Sequence, residues 1–445
     1  MSRASDPLKS PAPAGPSGVG IKLFIMMVLE FFIWGAWLPQ IFAYLPSKHL
    51  GGLEQQLIFS CFPISAIIGM FFSNQFADRN FAAERFLAFS HLVGGLAMLG
   101  MAFVPFNRIA PEVGTKAPNL YDTSFWMFFA LMAIHCLVYV PTISVTNAIA
   151  FSHMKNSEKE FGLVRMGGTI GWILAAWPIF FVLWGKPADQ VSQSLAAIFI
   201  VSGLGSLALA GYSLLLPHTP PNKTSGGESF ALLKALKLLS TPAILILFIV
   251  TFIDATIHNG YFVTAFNFLV SAGIAPEWVT PVMSIGQVAE ILTMMILGYV
   301  LANLGWRWTL IIGILGHAAR FTVFAFMPEN KAMIIIVQLL HGICYAFFFA
   351  TVYIYIDKVF PKDIRTSAQG LFNFLILGVG DLAAKWLFVW LQGRFVNDVT
   401  KPLEGYRELF LVPVGMAIAA ALLLLFFFHP PRDAEEPVAI KAPAH

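Results

Sequence analysis

The residues best suited to chemistry in this sequence sit inside its most apolar runs. Arg165, Thr169 and Trp172 fall at i, i+4 and i+7, so a helix sets a guanidinium, a hydroxyl and a flat ring on one face. That trio suits a polar, ring-bearing solute. Gly167, Gly168 and Gly171 lie among them and leave room for another helix or a ligand to come close. A second reading stands beside this one: Arg165 lies within a turn of the start of its run and can snorkel to the membrane surface. Gln287 and Glu290 share a face at i, i+3, in the middle of the apolar run 277–303. They suit an amide contact to a ligand next to a carboxyl group able to carry a proton, or else a bridge to another helix.

Other polar groups are buried in the same way. Asp254 and His258 stand at i, i+4 and are spaced to pair, with Asn259 about 100° further round. His341 and Tyr345 stand at i, i+4; His341 reads either as structural or as a ligand contact. Asp381 and Lys385 read as a neutralised internal ion pair. Glu30, just ahead of Phe31-Phe-Ile-Trp-Gly-Ala-Trp37, has no partner at helical spacing and is a second candidate proton carrier. His91, His135 and His317 lack such partners too and read as structural. Arg320 is placed in a helix or at its end. No nucleophile elbow, Walker A sequence, HExxH or metal-ligand spacing occurs. The chain is therefore read as no enzyme, with no cofactor and no metal, and an ion gradient is the energy source that fits. Cys61, Cys136 and Cys344 fall in apolar stretches and read as buried thiols.

The elements that must position these groups are membrane helices. The 445 residues are 58% hydrophobic and 11% charged, with a mean hydropathy of +0.76. A water-facing globular chain carries roughly 25% charged residues, so a soluble fold is excluded. The net charge of +3 gives no sign of nucleic acid. Twelve runs reach the roughly 20 residues that a bilayer core requires: 21–45, 57–76, 86–105, 124–151, 163–184, 193–215, 241–271, 277–303, 308–327, 332–357, 364–392 and 406–428. The polar linker from His218 to Glu228 divides them into six and six. The expected organisation is a cytoplasmic tail at 1–20, a six-helix bundle at 21–215, a cytoplasmic linker at 216–240, a second bundle at 241–428 and a tail at 429–445. With both termini inside, the cytoplasmic segments hold about twice as many Lys and Arg as the outer ones. The halves echo each other: Val164-Arg165 opens the fifth run of the first half, Ile364-Arg365 the fifth run of the second, and Ala77-Asp78-Arg79 matches Ala302-Asn303 with Arg307. Such repeats place a solute site between the halves, near the midplane.

Five stretches in order carry a resemblance. They are Phe32-Ile-Trp-Gly-Ala-Trp-Leu38, Tyr139-Val-Pro-Thr-Ile-Ser-Val-Thr-Asn147, Arg165-Met-Gly-Gly-Thr-Ile-Gly-Trp172, Met283-Ser-Ile-Gly-Gln-Val-Ala-Glu290 and Ile364-Arg-Thr-Ser-Ala-Gln-Gly-Leu-Phe372. Over 21–428 the chain resembles the nucleoside:proton symporters of the major facilitator superfamily. The resemblance implies an all-α integral membrane protein of twelve helices in two six-helix bundles, importing nucleosides by proton symport with alternating access. It implies a nucleoside site at Arg165, Thr169, Trp172, Thr256, Asn259, Gln287, Glu290, His341 and Tyr345. Thr256 stands where close relatives have a larger amide. Ala346 stands where some members carry an acid, which moves the expected proton route to Glu290, with Glu30 in reserve. The implied partners are a uridine-like or adenosine-like nucleoside and protons. The protein is expected to be a monomer in a bacterial inner membrane, with both termini cytoplasmic. The rival readings are a carrier of another polar solute, such as a sugar or a drug, and a membrane receptor that transports nothing.

Overall fold

The computed structural model describes residues 18–69, 80–108, 118–154, 157–221, 238–360, 365–396 and 400–430. These are helical throughout, with no strand among the described residues, as a lipid-exposed backbone demands. The first bundle comprises α1 (Gly18–Ser47), α2 (Gly52–Ile68), α3 (Ala83–Ala102), α4 (Thr123–His153), α5 (Ser157–Leu183) and α6 (Ala197–Ser213). α7 (Pro242–Ser271) opens the second. The segment Pro276–Phe326 then runs for 51 residues, about 77 Å at 1.5 Å per residue, more than twice the depth of a bilayer core. It is broken at Gly305, whose φ of 70° and ψ of 177° suit glycine alone. The halves 276–304 and 306–326 are α8 and α9. The last three helices are α10 (Lys331–Val359), α11 (Ala368–Phe395) and α12 (Pro402–Phe427).

Ten of the described helices are long and apolar enough to cross a membrane, counting Pro276–Phe326 once, and Gly52–Ile68 is a shorter apolar helix. The break at Gly305 and the short α2 bring the crossings to twelve. An even number returns both described ends, Gly18 and Phe427, to one face, the terminal face. α1 begins a turn earlier than the run at 21 and α2 before the run at 57, while the α6 helix begins after 193. Ala77-Asp78-Arg79, Ile364, and most of the linker and the tails lie outside the described residues.

The two bundles repeat one packing plan. In the first, α1 packs on α5 and α6, α3 on α4 and α6, and α2 on α4. In the second, α7 packs on α11 and α12, α9 on α12 through Phe321 and Phe410, and α8 and α9 on α10. Between bundles, α2 meets α11, α5 meets α8 and α1 meets α7. Lipid gives helices little hydrophobic reason to associate, so small residues at the contacts carry the packing. A Cβ on Gly171 would lie 2.0 Å from the Val28 carbonyl oxygen, and one on Gly342 would lie 2.3 Å from the Glu290 backbone nitrogen. The first contact presses α5 onto α1 and the second presses α10 onto α8 beside Glu290. π-helical turns at Tyr345–Ala350 and Phe374–Val379 loosen α10 and α11 at mid-depth, a distortion common at functional sites.

Candidate substrate cavity

Two charged side chains, Arg165 and Glu290, stand half-buried on α5 and α8, the helices that meet between the bundles. On the first-bundle side, the Arg165 guanidinium lies 4.2 Å from the centre of the Phe31 ring. It makes no hydrogen bond or ion pair among the described residues. Gly168 leaves the space it occupies, since a Cβ there would meet Arg165 Nη1 at 2.5 Å. Gly167 and Gly171 face α1, so of the two uses open to these glycines they serve a helix. Trp172 is half-buried and stands edge-on to Trp34 at 5.4 Å and to Phe262 of α7 at 6.0 Å. Trp34 stacks on Phe62 at 4.9 Å. Thr169 is half-buried on the same helix.

On the second-bundle side, Glu290 is half-buried and likewise makes no hydrogen bond or ion pair among the described residues. The Arg165 charge acts on both Glu290 and Tyr345 from across the seam. Gln287 is buried, with its amide 3.4 Å from His341 Nε2. His341 stacks on His258 at 4.8 Å, and His258 lies 6.2 Å from Tyr345. The structure thus gathers Arg165 and Trp172 from α5, Gln287 and Glu290 from α8, and His341 and Tyr345 from α10. Thr256 and Asn259 turn another way. Thr256 Oγ1 donates to Phe252 O at 2.8 Å and to Gly380 O at 3.4 Å. Asn259 Nδ2 donates to Ala255 O at 2.9 Å and to Ile376 O at 3.4 Å. Both hold α7 to α11.

Several expected pairings are corrected. Glu30 is not unpaired: Oε2 lies 2.9 Å from His91 Nε2, and Oε1 accepts from Thr142 Oγ1 at 2.7 Å. Asp254 does not pair with His258; its Oδ1 lies 3.6 Å from His317 Nε2, and His258 Nδ1 is buried without a hydrogen-bond partner among the described residues. His91 and His317 therefore have polar partners, those of His91 on other helices and those of His317 both on α7 and, at i, i+3, on its own helix in Arg320. His135 Nδ1 lies 3.1 Å from Gly94 O. Arg320 takes the first of its two expected placements, inside a helix, and is fully buried, 2.9 Å from His341 Nδ1 and 3.3 Å from His317 Nδ1, with Tyr261 4.0 Å beneath it. Its signal in the sequence was its cost, because a cation at that depth must find partners. Lys385 donates to Asp381, as their spacing suggests.

The seam is closed at one end and open at the other. Away from the terminal face, Gln40 Nε2 donates to Thr280 Oγ1 at 2.5 Å, Asn267 Nδ2 to Phe42 O at 3.1 Å and Trp386 Nε1 to Ser60 Oγ at 2.9 Å, each joining the bundles. Toward the terminal face a cleft of ≈ 550 Å³, its open mouth included, separates α2, α4 and α11. It is lined by Ala66, Val140, Ser144, Gly370, Asn373 and Leu377 among others, and none of the charged groups lines it.

A family model described as nucleoside H+ symporter matches residues 17–433. The chain belongs to the nucleoside H+ symporter family. It is accordingly a proton-coupled nucleoside transporter of the membrane and not an enzyme. The chain is 31% identical over 369 residues to YegT of Escherichia coli (strain K12), covering 81% of each. It is 25% identical over 424 residues to the xanthosine permease of the same organism, covering 91% of this chain and 94% of that one. The crystal structure of the nucleoside transporter NupG superposes with a TM-score of 0.77 at 20% identity, over 93% of this chain and 100% of that one. A D-xylose–proton symporter structure gives a TM-score of 0.67 at 15% identity over 92% and 97%. These likenesses give the nucleoside H+ symporter its major facilitator fold: two six-helix bundles around a central seam.

Proposed function

We propose that the nucleoside is held at mid-depth between Arg165, Thr169 and Trp172 on one side and Gln287, Glu290, His341 and Tyr345 on the other. Thr256 and Asn259 act at its edge, by setting α7 against α11. The observation that carries this reading is the pair of open charges: Arg165 and Glu290 face one seam, and neither has a hydrogen-bond or ion-pair partner among the described residues. Ionisable groups at membrane depth are costly, so ones left open mark a ligand or ion path. Hydroxyl groups of the ribose suit Arg165, Thr169, Gln287 and Glu290; the base stacks on Trp172 or Tyr345. Glu290 carries the coupled proton, with the Glu30–His91 pair in reserve.

The protein works as a monomer in a bacterial inner membrane with both termini cytoplasmic, its bundles spanning 21–215 and 241–428 about a cytoplasmic linker. In that orientation the cleft at the terminal face is an inward opening, and the contacts of Gln40, Asn267 and Trp386 are the closed outer gate. The preferred substrate is uridine-like or adenosine-like. Competition tests the reading: labelled uridine uptake into sealed vesicles is expected to be displaced by unlabelled uridine or adenosine and unaffected by sugars or amino acids. Displacement by a sugar alone would overturn it.

A further inference from the structure

We infer that Arg320, acting through His341, fixes which way round the Gln287 amide is held, and so makes Gln287 a hydrogen-bond donor toward the solute. The inference rests on the placement of Gln287 in the nucleoside site. Arg320 is a positioning residue here, since it touches no part of the seam itself.

The logic begins with a group of fixed polarity. A guanidinium has donors only and keeps its charge in proteins. Arg320 Nη1 lies 2.9 Å from His341 Nδ1, so Nδ1 must accept. A neutral His341 then carries its proton on Nε2. An imidazolium is excluded by geometry, because it would set an N–H against the guanidinium N–H and add a second buried positive charge. His341 Nε2–H points at the Gln287 amide nitrogen, 3.4 Å away, while Gln287 Oε1 is buried with no partner among the described residues. Two donors face each other and an acceptor is orphaned. The facing donors are relieved when the amide turns through 180°, an assignment the hydrogen-bond network decides, and the buried place without a partner then holds a donor instead of an acceptor. Oε1 then accepts from His341 Nε2–H, and the buried NH₂ is left for an acceptor that the solute supplies.

The same guanidinium fixes a second ring. Arg320 Nη2 lies 3.3 Å from His317 Nδ1, which sends that proton to Nε2, 3.6 Å from Asp254 Oδ1. A polar chain therefore runs Asp254–His317–Arg320–His341–Gln287 across α7, α9, α10 and α8. Tyr261 beneath the guanidinium and His258 stacked on His341 pack its flanks. A free glutamine adapts to donor or acceptor. One whose oxygen is occupied offers only N–H, so the solute atom at Gln287 must be an acceptor, such as a hydroxyl or carbonyl oxygen.

The experiment uses the full-length protein in lipid nanodiscs with ¹⁵N-labelled histidine, the His341 signals being identified by their loss in His341→Phe. The expected spectrum shows a bare Nδ1 and a protonated Nε2 at His341, and Arg320→Leu shifts it toward the other tautomer. If Arg320→Leu does not fold, the native spectrum alone decides: a proton on Nδ1, or on both nitrogens, overturns the inference. That result leaves the transport reading standing, because it involves no nucleoside. Gln287→Glu supplies the second arm. It keeps an acceptor for His341 but removes the donor, so uridine binding is expected to weaken roughly tenfold or more with the His341 signals unchanged. Native affinity in Gln287→Glu overturns the donor assignment, and native affinity in Gln287→Ala as well rejects the site.

Discussion

Glu30 and Asp254 hold equivalent places in the two bundles. Each is a buried carboxyl group on the first helix of its bundle, facing a histidine on the third: Glu30 against His91 at 2.9 Å and Asp254 against His317 at 3.6 Å. The first pair is the more completely bonded. The Ser206 hydroxyl donates to His91 O at 2.9 Å, so its oxygen accepts from His91 Nδ1–H at 3.1 Å. Tyr139 donates to Glu30 O at 2.7 Å. One proton is then shared between His91 Nε2 and Glu30 Oε2.

This arrangement separates the two candidate proton carriers. Glu30 is locked among α1, α3 and α4, whereas Glu290 opens on the seam. In Glu30→Gln, proton-driven uridine accumulation is expected to fall but persist, because Glu290, the proposed carrier, is intact. Accumulation ratios measured under one imposed pH gradient check this. Complete loss, with folding retained, would move the coupled proton to the Glu30–His91 pair.

Arg165→Ala and Gln287→Ala are each expected to weaken uridine binding about tenfold or more, about 1.4 kcal/mol. In the proposed site they stand on opposite sides of one solute. Calorimetric or scintillation-proximity titration of the purified protein measures this. Native affinity in both variants would empty the proposed pocket.

Helix contacts make a separate prediction. Gly171→Ala drives a methyl group into the Val28 carbonyl, whereas a Cβ on Gly211 meets nothing within 4 Å. Overpacking a close contact costs about 1–3 kcal/mol. The thermal unfolding midpoint in detergent is expected to drop for Gly171→Ala and to hold for Gly211→Ala. Equal midpoints would show that α1 and α5 separate without cost.

Away from the membrane interior, Arg108 ties two helix starts together. It donates to Glu54 at 2.7 and 2.9 Å and to Asp122 at 2.6 Å. Glu54 accepts from Gly51 N, and Asp122 caps α4 through Ser124 N. Burial pushes the Asp122 carboxyl up, but the Arg108 hydrogen bond, the Ser124 N–H and the Arg108 charge outweigh it and hold the group below the usual carboxylate range. A lowered carboxyl pKa adds stability above the ordinary value of about 4, which is lost as pH falls through the folded value. Arg108→Ala should therefore unfold at lower temperature than the native protein at pH 7, and the gap should narrow below about pH 4. A gap that does not depend on pH would assign the effect to packing.

What could be read from the sequence was what a single helix contains. The apolar runs, the Asp381–Lys385 pair and the shared face of Gln287 and Glu290 each follow from local spacing. The break between 303 and 308 was visible as a gap in the apolar pattern, and Gly305 fills it with the one residue type that turns there freely. What lay hidden was contact between helices. Glu30 finds His91, and Asp254 finds His317, across separate spans whose register no local period sets. Arg320 shows both cases: His341 lies on α10, beyond the reach of local spacing, whereas His317 stands one turn back on α9 at an i, i+3 spacing that helical periodicity does show. Thr256 and Asn259 share an apolar helix whose two polar faces spacing alone could not rank, and it is the α11 face that takes them.

The central claim is that Glu290, open on the seam opposite Arg165, couples proton entry to nucleoside entry. Uridine uptake into sealed proteoliposomes, with and without an inward proton gradient, tests it for the native protein and for Glu290→Gln. The account predicts gradient-driven accumulation by the native protein and, in Glu290→Gln, uptake that only equilibrates and ignores the gradient. Undiminished uphill uptake by Glu290→Gln would contradict it.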